Sequence, residues 1–322
     1  MQLFIRHIKF ALLFFFHFII FSCVEKPSNT IRIGLLQGPT AISFAYMMAN
    51  PPIVEGKQVE FIVKSDPQQI QALMMRNEVE FAVLPTVMAT NLYNKGLNYS
   101  MVACPIWGTL YILSNNPNSL TTNDLSNKKI SVFGQGATPD VLLQEFKQSK
   151  NILNLKLDYS FSTNNDVAMA LLHGKIENAV ISEPLVSTLL LKNPKIHVIT
   201  KLDFQEYLGK SDKDIFVQTA FVVNKKFAKD YPNTMHTISK AYAKSCNYVN
   251  IEPEKTADIL IHQKLLTDKK TALTSLPFCN IQYVASFAIE QEINKYLSHF
   301  YTFNPNSIGN KMPDRGFIFQ TQ

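Results

Sequence analysis

The pattern of apolar and polar positions divides this chain into short elements. Ile31 to Leu36 is an apolar run that reads as a strand, and Gln37-Gly38-Pro39-Thr40 turns it into a helix reaching about Asn50. Val59 to Lys64 alternates as a strand does, successive side chains facing opposite sides. Asp66-Pro67 starts a helix with proline in its first turn, where no N–H is needed. Ile70, Leu73 and Met74 give that helix one apolar face. Phe81 to Leu84 is a buried strand, and Pro85-Thr86 opens a helix to about Asn94. Thr109 to Ser114 is a further strand, broken by Asn115-Asn116-Pro117. Strands and helices alternating at this spacing predict a parallel sheet.

The pattern then restarts. Lys129 to Phe133 is a strand, and Gly134-Gln135-Gly136-Ala137-Thr138-Pro139 leads into a helix to about Lys147. Leu155 to Phe161 is strand-like, Asn165 to His173 helical, and Asn178 to Ile181 a strand. Ser182-Glu183-Pro184 begins a Leu-rich helix, and Ile196 to Thr200 ends this half. Leu202 to Asp214 is polar and irregular, and Phe216 to Val223 alternates as a strand. Helical patterns follow over Lys225–Tyr231, Asn233–Asn250, Pro253–Lys264 and Ile281–Phe300.

The restart is a repeat. Gln37-Gly38 recurs as Gln135-Gly136, 98 residues on, and Ser65, Ile70, Leu73, Met74, Met75, Val79 and Glu80 recur 97 residues on as Ser162, Val167, Ala170, Leu171, Leu172, Ile176 and Glu177. The second copy is longer after its strand, Leu84-Pro85 becoming Ile181-Ser182-Glu183-Pro184. Solenoid periods run only to about 50 residues, so the repeat predicts an α/β fold of two similar βα lobes enclosing a cleft. The chain leaves the first lobe near Tyr111 and returns near Ala220. Lobe I is then 31–110 with 221–322, lobe II is 111–220, and two crossing strands form a hinge.

The first residues predict a leader. Arg6 and Lys9 precede an apolar run of 12 residues, Phe10 to Phe21, with His17 within it. A bilayer span needs about 20 residues, so this run fits the core of a signal peptide, residues 1–22. Ile20-Phe21-Ser22-Cys23 resembles a bacterial lipobox, with Phe21 in place of the usual small residue. Cys23 is the expected lipidation site, and residues 23–30 the tether. The formal charge is +6. Leaving out Arg6 and Lys9, the chain has 29 bases against 25 acids, spread without a basic run, so no nucleic-acid partner is expected. Cys104, Cys246 and Cys279 match no zinc spacing, and three thiols allow one disulfide at most.

In open sheets of this kind ligands bind beyond the carboxyl ends of the strands. Gly38-Pro39-Thr40, Pro85-Thr86, Ala137-Thr138-Pro139 and Ser182-Glu183-Pro184 stand there, each with a hydroxyl and free N–H groups near a helix start. Such N–H groups favour anions. One helix end contributes at most about 2 kcal/mol, whereas a micromolar ligand needs about 8 kcal/mol, so apolar or aromatic contacts must add to it. Trp107, the single Trp, either stacks on a ligand or caps the core. Glu183 either accepts from a ligand amine or caps its own helix. Arg32, Arg76 and Arg315 fall on no cleft loop, so no bidentate clamp for an oxyanion is visible. There is no Gly-x-Ser-x-Gly elbow and no His-Glu-x-x-His, and Gly134-Gln135-Gly136 lacks the third glycine of a dinucleotide fingerprint. No catalytic residue, metal or cofactor is expected.

Taken together, these segments resemble the type II periplasmic solute-binding proteins of ABC importers, in the nitrate/sulfonate/taurine and thiamine-precursor group. The resemblance rests on Gly38-Pro39-Thr40-Ala41, Leu84-Pro85-Thr86 with Leu92-Tyr93-Asn94-Lys95, and Gly134 to Pro139. It continues through Phe227 to Pro232, Ala241-Tyr242, Asn250 to Pro253, Leu276 to Ile281 and Pro305 to Gly309. It implies a small molecule, either a sulfonate- or nitrate-like anion or a thiamine-precursor-like aromatic, held between two lobes and delivered to a permease and its ATPase. It also implies a monomer, lipid-anchored on the bacterial cell envelope and facing the periplasm or exterior. Gly38, Pro39, Thr40, Thr86, Gly108, Gln135, Gly136, Thr138, Glu183 and Asn280 become candidate ligand contacts, beside Trp107. The alternative is an enzyme on the same fold, like those of menaquinone or pyrimidine biosynthesis. The leader and the absence of the pyrimidine synthases' cysteine-rich motif weigh against it.

Overall fold

Each repeat unit builds a strand, a helix and a strand, and the local signals for the helix lie in the sequence. The computed structural model describes residues 29–203 and 216–320. The leader, Cys23, nearly all of the tether and most of the stretch before the second crossing lie outside the described residues. In the first copy β1 (Thr30–Leu36), β2 (Gln58–Lys64) and β3 (Phe81–Pro85) alternate with α1 (Pro39–Ser43), α2 (Ala45–Ala49), α3 (Pro67–Met75) and α4 (Thr86–Asn94). The Asp66 carboxylate caps α3 by accepting from Gln68 N–H (2.9 Å). The second copy contains β6 (Lys129–Ser131), α5 (Thr138–Ser149), β7 (Lys156–Asp158), α6 (Asn164–Leu172), β8 (Asn178–Ser182) and α7 (Leu185–Lys192). Thr163 caps α6 as Asp66 caps α3. The capped helices and the strands after them lie 97 residues apart in the two copies.

The repeat is visible in the sheets. The first has the order β11-β4-β10-β3-β1-β2 and the second β7-β6-β8-β5-β9, with β4 at Tyr99–Ile106, β5 at Leu110–Ser114, β9 at His197–Lys201, β10 at Thr219–Asn224 and β11 at Ile281–Ala285. Within each, three strands are parallel in the same order, β2-β1-β3 and β7-β6-β8. Each trio is extended by the strand that has just arrived from the other sheet: β10 runs antiparallel beside β3, and β5 antiparallel beside β8. The predicted parallel sheet is therefore mixed, because a strand entering from the far lobe runs against the trio.

Three elements differ from the sequence reading. Tyr99–Ile106, not expected as a strand, is buried along its whole length. Lys269–Ser275, also not expected, is a helix. The expected helix from Ile281 begins instead as strand β11, because Asn280 takes a left-handed conformation (φ 45°) and Ile281 then pairs with Ile106. The remaining helices are α8 (Lys225–Asp230), α9 (Pro232–Ile251), α10 (Pro253–His262), α11 (Lys269–Ser275) and α12 (Glu290–Phe303).

One apolar core runs through both lobes. It joins Leu84 and Met101 of the first sheet to Ile112 of the second, Val132 just after β6 and Phe146 of α5, together with Tyr296, Leu297 and Phe300 of α12. Separate clusters fill the other faces of the sheets. Helices also bridge the lobes, α12 lying against α5 and α11 against α7. Truncating the wholly buried Phe300 to Ala should destabilise the fold by about 3–5 kcal/mol. The same change at the 42% exposed Met169 should cost under about 0.5 kcal/mol. Chemical denaturation of both variants checks the contrast.

Candidate functional site

The two sheets meet at a knot of hydrogen bonds that the duplicated topology creates. Leu110, first residue of β5, pairs with Ser182 at the end of β8, and Thr219, first residue of β10, pairs with Pro85 at the end of β3. The residue after each trio strand donates its N–H to the residue before the arriving strand. Thr86 N–H bonds Gln218 O (3.0 Å), and Glu183 N–H bonds Thr109 O (3.0 Å). The two crossings are also tied to each other. Thr109 N–H donates to Gln218 Oε1 (2.8 Å), and Gln218 Nε2 donates to Thr109 Oγ1 (3.0 Å). The Thr109 and Ser182 hydroxyls share a bond of 2.7 Å. Beside this knot the Thr86 and Thr219 hydroxyls are buried with no hydrogen-bond partner, an arrangement that costs free energy unless something satisfies it.

Gly38 and Glu183, candidates from opposite lobes, come together here. Gly38 has φ 95° and ψ −146°, a conformation that belongs to glycine. A Cβ on it would stand 3.7 Å from Glu183 O and 3.8 Å from Pro184 Cδ. Pro39 opens α1, and Thr40 is buried behind it, its carbonyl accepting from Ser43 Oγ (2.6 Å).

Glu183 is 2% exposed. Its carboxylate accepts from Ser187 N–H (3.2 Å) and Ser187 Oγ (3.0 Å), so it caps α7. Among the described residues no Lys or Arg is paired with it. Burial pushes its carboxyl up to about 7, against the two Ser187 hydrogen bonds that favour the charged form. Glu183 and Pro184 are the residues that the second copy has in excess of the first. The strand ends and helix starts are adjacent in the first copy, at Pro85 and Thr86, and separated by these two in the second.

The glycine loop of the second lobe is arranged differently. Gln135 and Gly136 are exposed, and the Gly136 N–H donates to Asp140 Oδ2 (2.7 Å). Asp140, buried on the first turn of α5, also accepts from Gln144 Nε2 and the Tyr159 hydroxyl, each at 2.8 Å. The carboxylate thereby ties the glycine loop to the first turn of α5. Thr138 lies under the loop, its side chain facing the Tyr296 hydroxyl.

Trp107, Gly108 and Asn280 form a joint at the first crossing. Trp107 N–H donates to Asn280 O (3.2 Å), the indole N–H donates to Gln282 O (2.7 Å), and Asn280 Nδ2 bonds Gly108 O. Gly108 has φ 94°, and a Cβ there would stand 3.4 Å from the Phe216 ring. The structure thus gathers Gly38, Pro39, Thr86 and Glu183 around the knot. It holds Trp107, Gly108 and Asn280 to one side, and Gln135, Gly136 and Thr138 on the start of α5. Sequence reasoning missed Thr109, Gln218 and Asp140, while Ser182 supplied the hydroxyl of the Ser182-Glu183-Pro184 loop. The signal for Gln218 was present, a polar residue inside the apolar run Phe216–Val223.

The arginines stand elsewhere, Arg32 paired with Glu80, Arg76 with Glu78 and Arg315 with Glu290. Cys104, Cys246 and Cys279 are buried free thiols. Among the described residues no three His, Cys, Asp or Glu side chains are grouped to hold a metal ion.

This architecture is similar to that of an ABC transporter structure from Parabacteroides distasonis, with a TM-score of 0.79 and 31% identity over 92% of this chain and 100% of that one. It shares its fold with the periplasmic aliphatic sulphonate-binding protein SsuA of Escherichia coli (TM-score 0.70, 14% identity, 91% of this chain and 93% of that one). It does so also with the periplasmic nitrate-binding protein NrtA of Synechocystis PCC 6803 (0.67, 10%, 86% and 82%). No family model and no curated protein matches the sequence. The chain belongs to the type II periplasmic binding proteins of ABC transporters.

Two outcomes follow from the knot and its acid. Gln218→Ala leaves the Thr109 N–H unsatisfied and should cost about 1–3 kcal/mol, read by chemical denaturation. Glu183 holds its proton more tightly folded (about 7) than unfolded (4.5). Its contribution is therefore complete below about 4.5 and declines as pH rises to about 7, by about 3 kcal/mol. Glu183→Gln should flatten that decline in a pH series of melting temperatures.

Proposed function

We propose that the protein is the substrate receptor of an ABC importer. It captures a small molecule between its lobes and presents it to a permease, with no bond made or broken. The observation that carries this reading is the knot: strand-end loops of both lobes, led by Gly38 with Thr86 and by Glu183, converge on crossings that are bonded to each other. Closure of two lobes about such crossings is a standard way to enclose a ligand. The lobe boundaries at 31–110 with 221–322 and 111–220 are part of the proposal. Cys23 carries the lipid anchor, which keeps the receptor on the envelope beside its permease. The transporter proteins that share the fold support a binding role over an enzymatic one.

Two measurements test this. Mass spectrometry of the native N-terminus should find an acylated Cys23, and an unmodified N-terminus at another residue refutes the anchor. A thermal-shift screen of small polar and aromatic compounds should give a stabilising ligand that also contracts the molecule in solution scattering. Chemical turnover of that ligand by the purified protein would refute the receptor role.

A further inference from the structure

One end of lobe I collects cations at the place where the chain enters the fold. β1, β2, β3 and β4 all start at this end, tied by Gln58 N–H to Asn29 O, Asn224 N–H to Glu80 O and Lys225 N–H to Asn98 O. β10 finishes here, because it runs against β3 and β4, and α8 follows it at once. α3 and α4 start beyond the carboxyl ends of β2 and β3 and return to this end. The turn Val54–Lys57 precedes β2 and is closed by Val54 N–H to Lys57 O (3.2 Å). Gly38 and Thr86 stand at the other end of the strands, about 20 Å away along β1.

The charges are unequal between the lobes and at this end. Lobe II has 11 bases and 11 acids, whereas lobe I has 17 bases and 13 acids. At the end of lobe I, Glu78 pairs with Arg76, Glu80 with Arg32 and Asp230 with Lys226. Lys57, Lys95, Lys225, Lys229 and Lys311 make no ion pair among the described residues. The acids left beside them are Glu55, Glu60 and Asp314, the last accepting from the Tyr93 hydroxyl. Lys57 lies over the Tyr231 ring (4.0 Å) and Lys225 over the Tyr93 ring (4.5 Å), which fixes two of the ammonium groups. Two large apolar side chains stand out at the same end, Ile53 before the turn (81% exposed) and Met75 at the close of α3 (59%).

We propose that this end of lobe I rests on the surface of an anionic lipid bilayer, its lysines against the lipid phosphates and Ile53 and Met75 among the headgroups. The proposal rests on Cys23 as the lipid anchor. Cys23 stands six residues before Asn29, a reach of at most about 20 Å. The acyl chains therefore keep the start of β1 beside the bilayer, and the strand ends with Gly38 and Thr86 farther from it. The acyl chains supply the affinity, and the lysines, attracted by the surface potential, supply the orientation. In that orientation the loops that lead to the cleft point away from the lipid.

The experiment places the acylated protein in phosphatidylcholine vesicles, with or without phosphatidylglycerol, that also contain a nickel-chelating lipid. A spin label is attached at Ile53→Cys or, in lobe II, at Lys150→Cys. Cys104, Cys246 and Cys279 are buried, and an acylated Cys23 has no free thiol. Relaxation of the Ile53→Cys label by nickel should rise about threefold with phosphatidylglycerol and fall back at about 0.5 M NaCl, where screening acts beyond about 4 Å. The Lys150→Cys label should not respond. Lys95→Glu, Lys229→Glu and Lys311→Glu together should abolish the rise. The same reversal at the exposed Lys150, Lys156 and Lys195 of lobe II should leave it in place. An Ile53→Cys label indifferent to phosphatidylglycerol, a Lys150→Cys label that responds as strongly, or equal losses from the two reversals overturns the proposal. In each of those cases protein that stays on the vesicles leaves the anchor standing. Protein that leaves the vesicles with an unacylated Cys23 by mass removes the anchor and this orientation together.

Discussion

The mutual hydrogen bonding of Thr109 and Gln218 is the constraint on which the site depends. A two-lobed chain must cross between its sheets twice, and each crossing exposes backbone and side-chain polar groups at the point where apolar faces converge. Such groups are costly when buried and unpaired. Here the crossings satisfy each other, with the Gln218 amide both accepting from and donating to Thr109. Because the third strand of each trio ends against this pair, the loops that follow are fixed with respect to one another. Thr86 and Glu183 are therefore presented by a scaffold, and their relative position is set by the topology more than by their own loops.

Electrostatics follows from that scaffold. A helix start placed at the end of a parallel strand offers N–H groups to whatever lies beyond it. In the second lobe Asp140 and Glu183 take those groups for themselves. Asp140 has three neutral donors, and Glu183 has Ser187 alone. At Glu183 burial outweighs the Ser187 hydrogen bonds, and its carboxyl rises to about 7. A carboxyl left short of donors in the contact between two lobes is sensitive to whatever comes between them.

Much of this was legible in the sequence, for physical reasons that can be named. The capped helices Pro67–Met75 and Asn164–Leu172 carry a helical apolar stripe and a polar or proline start, so their register and spacing could be read directly. β4 could not be read that way. Tyr99 to Ile106 is buried on both faces, and a strand without a solvent side has no alternation to detect. β11 was hidden for another reason: its residues continue the apolar pattern of α12, and the break between them is a backbone feature at Asn280. The lack of an arginine clamp was visible, and so was Glu183 as an acid at a neutral junction. The donors that surround Asp140 were not, because Gly136, Gln144 and Tyr159 reach it from three separate segments.

The repeat acquires its functional meaning at the place where the copies part. Two identical lobes would face a ligand with identical loops, and the two halves of the ligand would have to be alike in chemistry. The strands and the capped helices of the copies do agree, since they have the same structural task. The junction does not: Pro85 runs straight into Thr86, whereas Ser182 is followed by Glu183 and Pro184 before α7 begins. The extra residues bring in Glu183, whose N–H repeats the bond that Thr86 N–H makes in the other copy, whose carboxylate turns to Ser187 and whose carbonyl stands beside Gly38. An acid on one wall and unsatisfied hydroxyls on the other make the cleft polar in one direction.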